Sequence, residues 1–104
     1  MMDVTISARH TTIPATLHDH AERLGRRLDR FEPKAATMIV SLETENGIRS
    51  AEARLTAAGG PPLIGHGTGP TYRNALDQAV DRIERQFKRR RRRRRQKRRS
   101  FADT

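Results

Sequence analysis

The chain has 104 residues, no Cys, no Trp and one Tyr, and its 22 Lys+Arg against 12 Asp+Glu leave a formal charge of +10. That length fits one domain with one core, built here mostly from aliphatic side chains. Disulfides and thiolate metal sites are excluded, no apolar run nears the ~20 residues of a membrane span, and the opening MMDVTISARH lacks the basic start and apolar run of a signal peptide. A cytoplasmic protein is the expectation.

The charge is not spread evenly. Residues 1–87 hold eleven basic and eleven acidic residues, so that part is formally neutral. Residues 88–104 hold eleven basic residues and one acid, Asp103. Lys88 is followed by seven consecutive arginines, then Gln96, Lys97, Arg98 and Arg99. The expected organisation is an α+β domain over 1–87 and an arginine-rich tail over 88–104 that extends the last helix.

Val4 and Ile6 alternate with Thr5 and Ser7, which reads as a short half-buried strand. Thr11 and Thr12 offer capping hydroxyls, and Pro14 suits a first helical turn. Ile13, Leu17, Ala21, Leu24, Leu28 and Phe31 then recur at helical spacing, and Pro33 stops the run. Gly25 inside this helix costs ~1 kcal/mol of propensity relative to Ala, a sacrifice that suits close approach to a neighbour.

Residues 36–44 read as a second strand, with Met38, Val40 and Leu42 on one face. Asn46-Gly47 is a strong hairpin signal. A third strand runs through 48–57, with Ala51, Ala53 and Leu55 inward and Glu52, Arg54 and Thr56 outward. Gly59-Gly60-Pro61-Pro62 is a turn, and residues 63–67 form the weakest strand, supported mainly by the turn before it. A second helix opens near Thr71 with Tyr72, Leu76, Ala79, Val80, Ile83 and Phe87 as its apolar stripe. Two amphipathic helices can share one sheet face. The expected fold is α+β, a two-layer β-α-β-β-β-α sandwich, a four-stranded sheet with both helices on one face.

No catalytic or metal site emerges. His18 and His20 are two apart on a helix and diverge, whereas a metal needs i, i+4 spacing and further ligands; His10 and His66 add no such pattern. Glu43 and Glu45 share a strand face, but no nucleophile accompanies them. Gly65, Gly67 and Gly69 match neither a dinucleotide fingerprint nor a Walker loop and read as a flexible or closely packed edge strand. No cofactor and no small-molecule substrate are expected.

The basic residues point elsewhere. Arg82, Arg85, Arg89 and Arg92 recur on or beside the face of the second helix opposite its apolar stripe. Arg23, Arg26, Arg27 and Arg30 give the first helix a basic outer surface. Side by side, these surfaces would form one platform, and the planar guanidinium fork suits phosphate oxygens. As a helix, residues 88–99 would reach about 18 Å. Like charges at i, i+4 weaken that extension, which is expected to fray when free and order on binding.

The assembled pattern resembles the ribosome hibernation promoting factors, also called ribosome-associated inhibitors or sigma-54 modulation proteins. The resemblance covers residues 3–90. It rests on the VTISARH strand, on IPATLHDHAERLGRRLDRFEP as a first helix ending at Phe, and above all on ALDQAVDRIERQFKR at 75–89. There Asp77, Asp81, Glu84, Arg85 and Gln86 fall in register with family positions. The chain departs from the family where an acid-Met-Tyr sequence is replaced by Pro70-Thr71-Tyr72-Arg73, in its glycine-rich fourth strand, and in its arginine-rich tail. The C-terminal dimerisation domain of long members has no counterpart.

The resemblance implies a fold similar to the double-stranded-RNA-binding fold, and a non-enzymatic factor that binds rRNA in the mRNA and tRNA channel of the small ribosomal subunit and blocks translation in idle ribosomes. Carried over, Arg82, Arg85, Lys88 and Arg89 match basic positions of the second helix, and Arg23, Arg26, Arg27 and Arg30 those of the first; Arg92 rests on electrostatics alone. The free protein is expected to be a monomer with no membrane partner. Two other readings keep the fold: a free-standing double-stranded-RNA binder, and a protein-interaction module acting on a transcription factor.

Overall fold

The computed structural model describes residues 2–9, 12–30, 35–57 and 60–102, and side chains within these except those of 35, 36, 57 and 91–102. Strand β1 (Asp3–Ala8) half-buries Val4, Ile6 and Ala8 and exposes Asp3, Thr5 and Ser7, as its alternation dictates. Helix α1 (Ala15–Asp29) buries Leu17, Ala21, Leu24, Gly25 and Leu28. Its start differs from the expected threonine cap. Pro14 is itself the cap residue, extended at φ −62°, ψ 144°, and no side chain caps the helix. The Pro14 carbonyl instead accepts from the amides of Leu17 and His18. Phe31 and Pro33, expected to close this helix, and Thr11 lie outside the described residues. Arg26 and Arg27 occupy the last turn, where the helix dipole favours cations.

Strands β2 (Ala35–Glu45) and β3 (Ile48–Ala57) form the hairpin signalled by Asn46-Gly47. Both turn residues have positive φ, 52° and 78°, the requirement of the tight turn that matches strand twist. Strand β4 (Leu63–Gly69) follows, then helix α2 (Tyr72–Ala102). The Thr71 hydroxyl accepts from the Asn74 amide at 3.1 Å, capping α2. The strand order is β1-β2-β3-β4, with β1 parallel to β2 across α1 and the other two pairings antiparallel.

The register explains how the helices sit. One inward row runs Ile6, Val40, Ala53, Gly65; another runs Ala8, Leu42, Ala51, Gly67. Along the first, side-chain size falls steadily toward β4, and both end on glycine. Helix α2 therefore lies directly on the small end. A Cβ on Gly65 would stand 2.1 Å from the Ala79 carbonyl oxygen, and one on Gly67 2.0 Å from that of Ala75. Ala75 and Ala79 are small and fully buried in turn. Gly25 does the same for α1, where a Cβ would stand 2.7 Å from Val4 Cγ2. The core between layers is Leu24, Leu28, Met38, Val40, Leu55, Leu76, Val80, Ile83 and Phe87, all at most 5 % exposed. Every described residue of that core is hydrophobic. The opposite sheet face is open and mostly polar, with Ile39, Arg54 and Ile64 adjacent in one row.

Candidate nucleic-acid interface

Helix α2 carries four kinds of residue around its circumference, and the i, i+4 rule fixes where each row points. The inner row is apolar. The row Asp77, Asp81, Glu84 faces α1. His20 Nε2 lies 2.6 Å from Asp77 Oδ1, and Arg27 reaches Asp81 Oδ1 at 3.1 Å and Glu84 Oε1 at 3.5 Å. Asp77, Asp81 and Glu84 therefore form the seam between the two helices. The exposed Arg27–Asp81 pair contributes roughly 0–1 kcal/mol, so its main effect is on register and on local charge.

The row Gln78, Arg82, Gln86, Arg90 faces the free edge of β4. Gln78 Oε1 accepts from the Thr68 amide at 2.8 Å. Arg82 Nη1 donates to the His66 carbonyl at 2.6 Å, Gln86 Nε2 to the Ile64 carbonyl at 2.8 Å, and Arg90 Nη2 to the Pro61 carbonyl at 2.8 Å. Four side chains one turn apart thus meet backbone groups, three on the outer edge of β4 and the fourth, from Arg90, on Pro61 in the turn before it. Unpaired edge groups are a template for association with another chain, and this ladder occupies them. Sequence reading missed Gln78, Gln86 and Arg90. The signal was present, a polar residue every fourth position beside a glycine-rich strand, but it identifies nothing until α2 is known to lie on β4.

The remaining surface faces solvent. Arg23, Arg26 and Arg30 are exposed on α1, and Arg85, Lys88 and Arg89 on α2. Arg27 and Arg82 are also solvent-exposed but committed to the contacts above. Arg92 lies within α2, with its side chain outside the described set. Arg27 lies at the seam between the helices, where Asp81 and Glu84 offset its charge, whereas Arg26 lines a recess at the β1 edge with Asp3, Thr5, Glu22 and Thr37. No helix among the described residues is long and apolar enough to cross a membrane.

The histidines do not converge. His10 is outside the described residues, His18 pairs with Glu22 at 3.6 Å, and His66 pairs with Glu52 across the open sheet face at 3.7 Å. His18, Asp19 and Glu22 are close enough together for a cation, but all three are exposed on the helix surface, where such groups are ordinary.

A small α+β sandwich whose helices present arginine to solvent and whose sheet is open behind them defines the class of the fold. The sequence specifies the class further. Residues 4–95 match the family described as sigma 54 modulation protein / S30EA ribosomal protein, and the chain belongs to that family. Membership places it among ribosome-associated proteins. The N-terminal domain of Thermus thermophilus Protein Y is similar in structure at 28 % identity, with a TM-score of 0.73 over 86 % of this chain and 98 % of that one. A ribosomal subunit interface protein from Coxiella burnetii shares the fold at 11 % identity, with a TM-score of 0.76 over 86 % of this chain and 96 % of that one. No curated protein matches the sequence.

Proposed function

We propose that the chain is a non-enzymatic, cytoplasmic hibernation factor that lodges in the mRNA and tRNA channel of the idle small ribosomal subunit. Bound there, it excludes mRNA and tRNA sterically. The family match over residues 4–95 carries this reading. The exposed arginines of α1 and α2 support it, because phosphate contacts position such a module without reading sequence. Arg23, Arg26, Arg30, Arg85, Lys88 and Arg89 are the residues proposed to touch rRNA, with Arg27 and Arg82 contributing through whatever donors their present contacts leave. Residues 1–87 act as the shaped body that selects the site. Residues 88–104 act as an affinity device that gathers phosphates.

Occupancy tests the steric part. Small subunits already carrying mRNA and tRNA should refuse the protein, while empty subunits take it up. Equal binding to loaded and empty subunits would contradict the mechanism. Short duplex RNA should displace the protein from subunits poorly; displacement at equal phosphate concentration would favour the duplex-binding reading instead.

A further inference from the structure

Where α1 and α2 begin, the β2–β3 hairpin closes a recess of about 380 Å³ that the phosphate contacts leave unused. Its walls include Leu17, His20, Arg49, Tyr72 and Arg73, with no carboxylate among its lining residues. That volume sits at the lower end of small-ligand pockets, roughly 300–1,000 Å³. Two of its groups are flat and held in place. The Arg49 guanidinium lies over the Tyr72 ring, 5.7 Å from the centroid, and its Nη1 donates to the Pro70 carbonyl at 2.7 Å. The Tyr72 hydroxyl is hydrogen-bonded to the Thr44 hydroxyl. Both surfaces are therefore fixed before any ligand arrives, which lowers the entropy lost on binding. Arg73 is exposed at the rim, one residue further along α2.

We propose that this recess takes one unstacked nucleotide of single-stranded RNA, its base against Tyr72 and Arg49 and its phosphate on Arg73. The chemistry favours that occupant over others. Aromatic rings and guanidinium planes are the surfaces on which splayed-out bases stack, independently of base identity. A cationic rim without an acidic group suits a phosphate, while the apolar floor from Leu17 suits a base and disfavours a bare anion. The inference rests on the RNA-binding reading above but adds a distinct contact: one that reads a base plane, where the arginine rows and the tail read only backbone.

The chain has one Tyr and no Trp, so its intrinsic emission comes from Tyr72 alone. The full chain should be titrated with an eight-residue oligouridylate and with an abasic ribose-phosphate oligomer of equal length. Filter binding measures association, and tyrosine emission, corrected for absorption against free tyrosine amide, measures stacking. The expected result is that both oligomers bind and only oligouridylate quenches, saturating at the concentration that filter binding gives. Arg73→Ala, an exposed change, should move the quenching midpoint about three- to tenfold upward, a loss of up to about one decade in affinity. If both oligomers bind and quench alike, or neither quenches, the recess is not a base site and the phosphate reading survives. Failure of both to bind at low salt overturns the two readings together.

Discussion

Gly67 and Gly47 share a residue type and differ in the reason for it. At Gly67 the helix backbone occupies the space a side chain would need, and neither partner is a flexible side-chain tip. Gly67→Ala should destabilise the protein by about 3 kcal/mol or more, at the upper end of overpacking costs. Gly47 has open space around it but φ of 78°; Gly47→Ala should cost about 1–2 kcal/mol from backbone strain alone. Urea unfolding of both variants checks the order, and equal losses would contradict the close helix contact. Arginines divide in the same manner. Arg27 is engaged by Asp81 and Glu84, whereas Arg26 is exposed without such a pair of acids. Arg26→Ala should reduce the salt slope of RNA binding by about 0.7–0.9, and Arg27→Ala by less than half of that. The glycine-rich strand was legible in the sequence, but whether it was flexible or closely packed was not, because only the helix lying on it decides that. The direction of each arginine was not, because direction depends on which element lies alongside the helix.

The elements themselves were more legible than their contacts. Alternation gave β1, the hairpin and its turn, and apolar periodicity gave both helices, because those patterns arise from local geometry. Pro14 misled the reading of the first cap, since a proline in extended conformation serves as the cap residue itself. The edge ladder could not be read at all without the fold. Its consequence is testable: a triple variant Gln78→Ala, Arg82→Ala, Gln86→Ala exposes the β4 edge and should raise self-association in sedimentation equilibrium. Each lost bond should cost no more than ~1 kcal/mol, so a folded monomer at all concentrations would argue against the edge role. Phe87 is the last buried position of α2 among the described residues. The helix continues to Ala102 through a run of like charges, each close pair of which opposes it by a few tenths of a kcal/mol. Amide exchange should therefore be slow over 75–87 and fast over 90–99 in the free protein, with 90–99 slowing when RNA is added.

At the scale of the whole molecule, a neutral sandwich ends in a helix that carries the entire net charge. The body exposes arginines on both helices and offsets Arg27 at the inter-helix seam with Asp81 and Glu84. Under the proposed function, residues 88–104, with eleven basic residues and one acid, gather phosphates by releasing counterions. The proposed function thus assigns affinity and site choice to different parts. Removing 88–104 should lower affinity and flatten the salt dependence while leaving the preference for empty small subunits over duplex RNA intact. The most direct test is co-sedimentation of residues 1–104 and 1–87 with empty small subunits across a salt series. The full chain should migrate with subunits at low salt and be released steeply as salt rises, with the truncated chain bound more weakly along a shallower slope. Absence of the full chain from the subunit peak at low salt would contradict binding to the small subunit altogether.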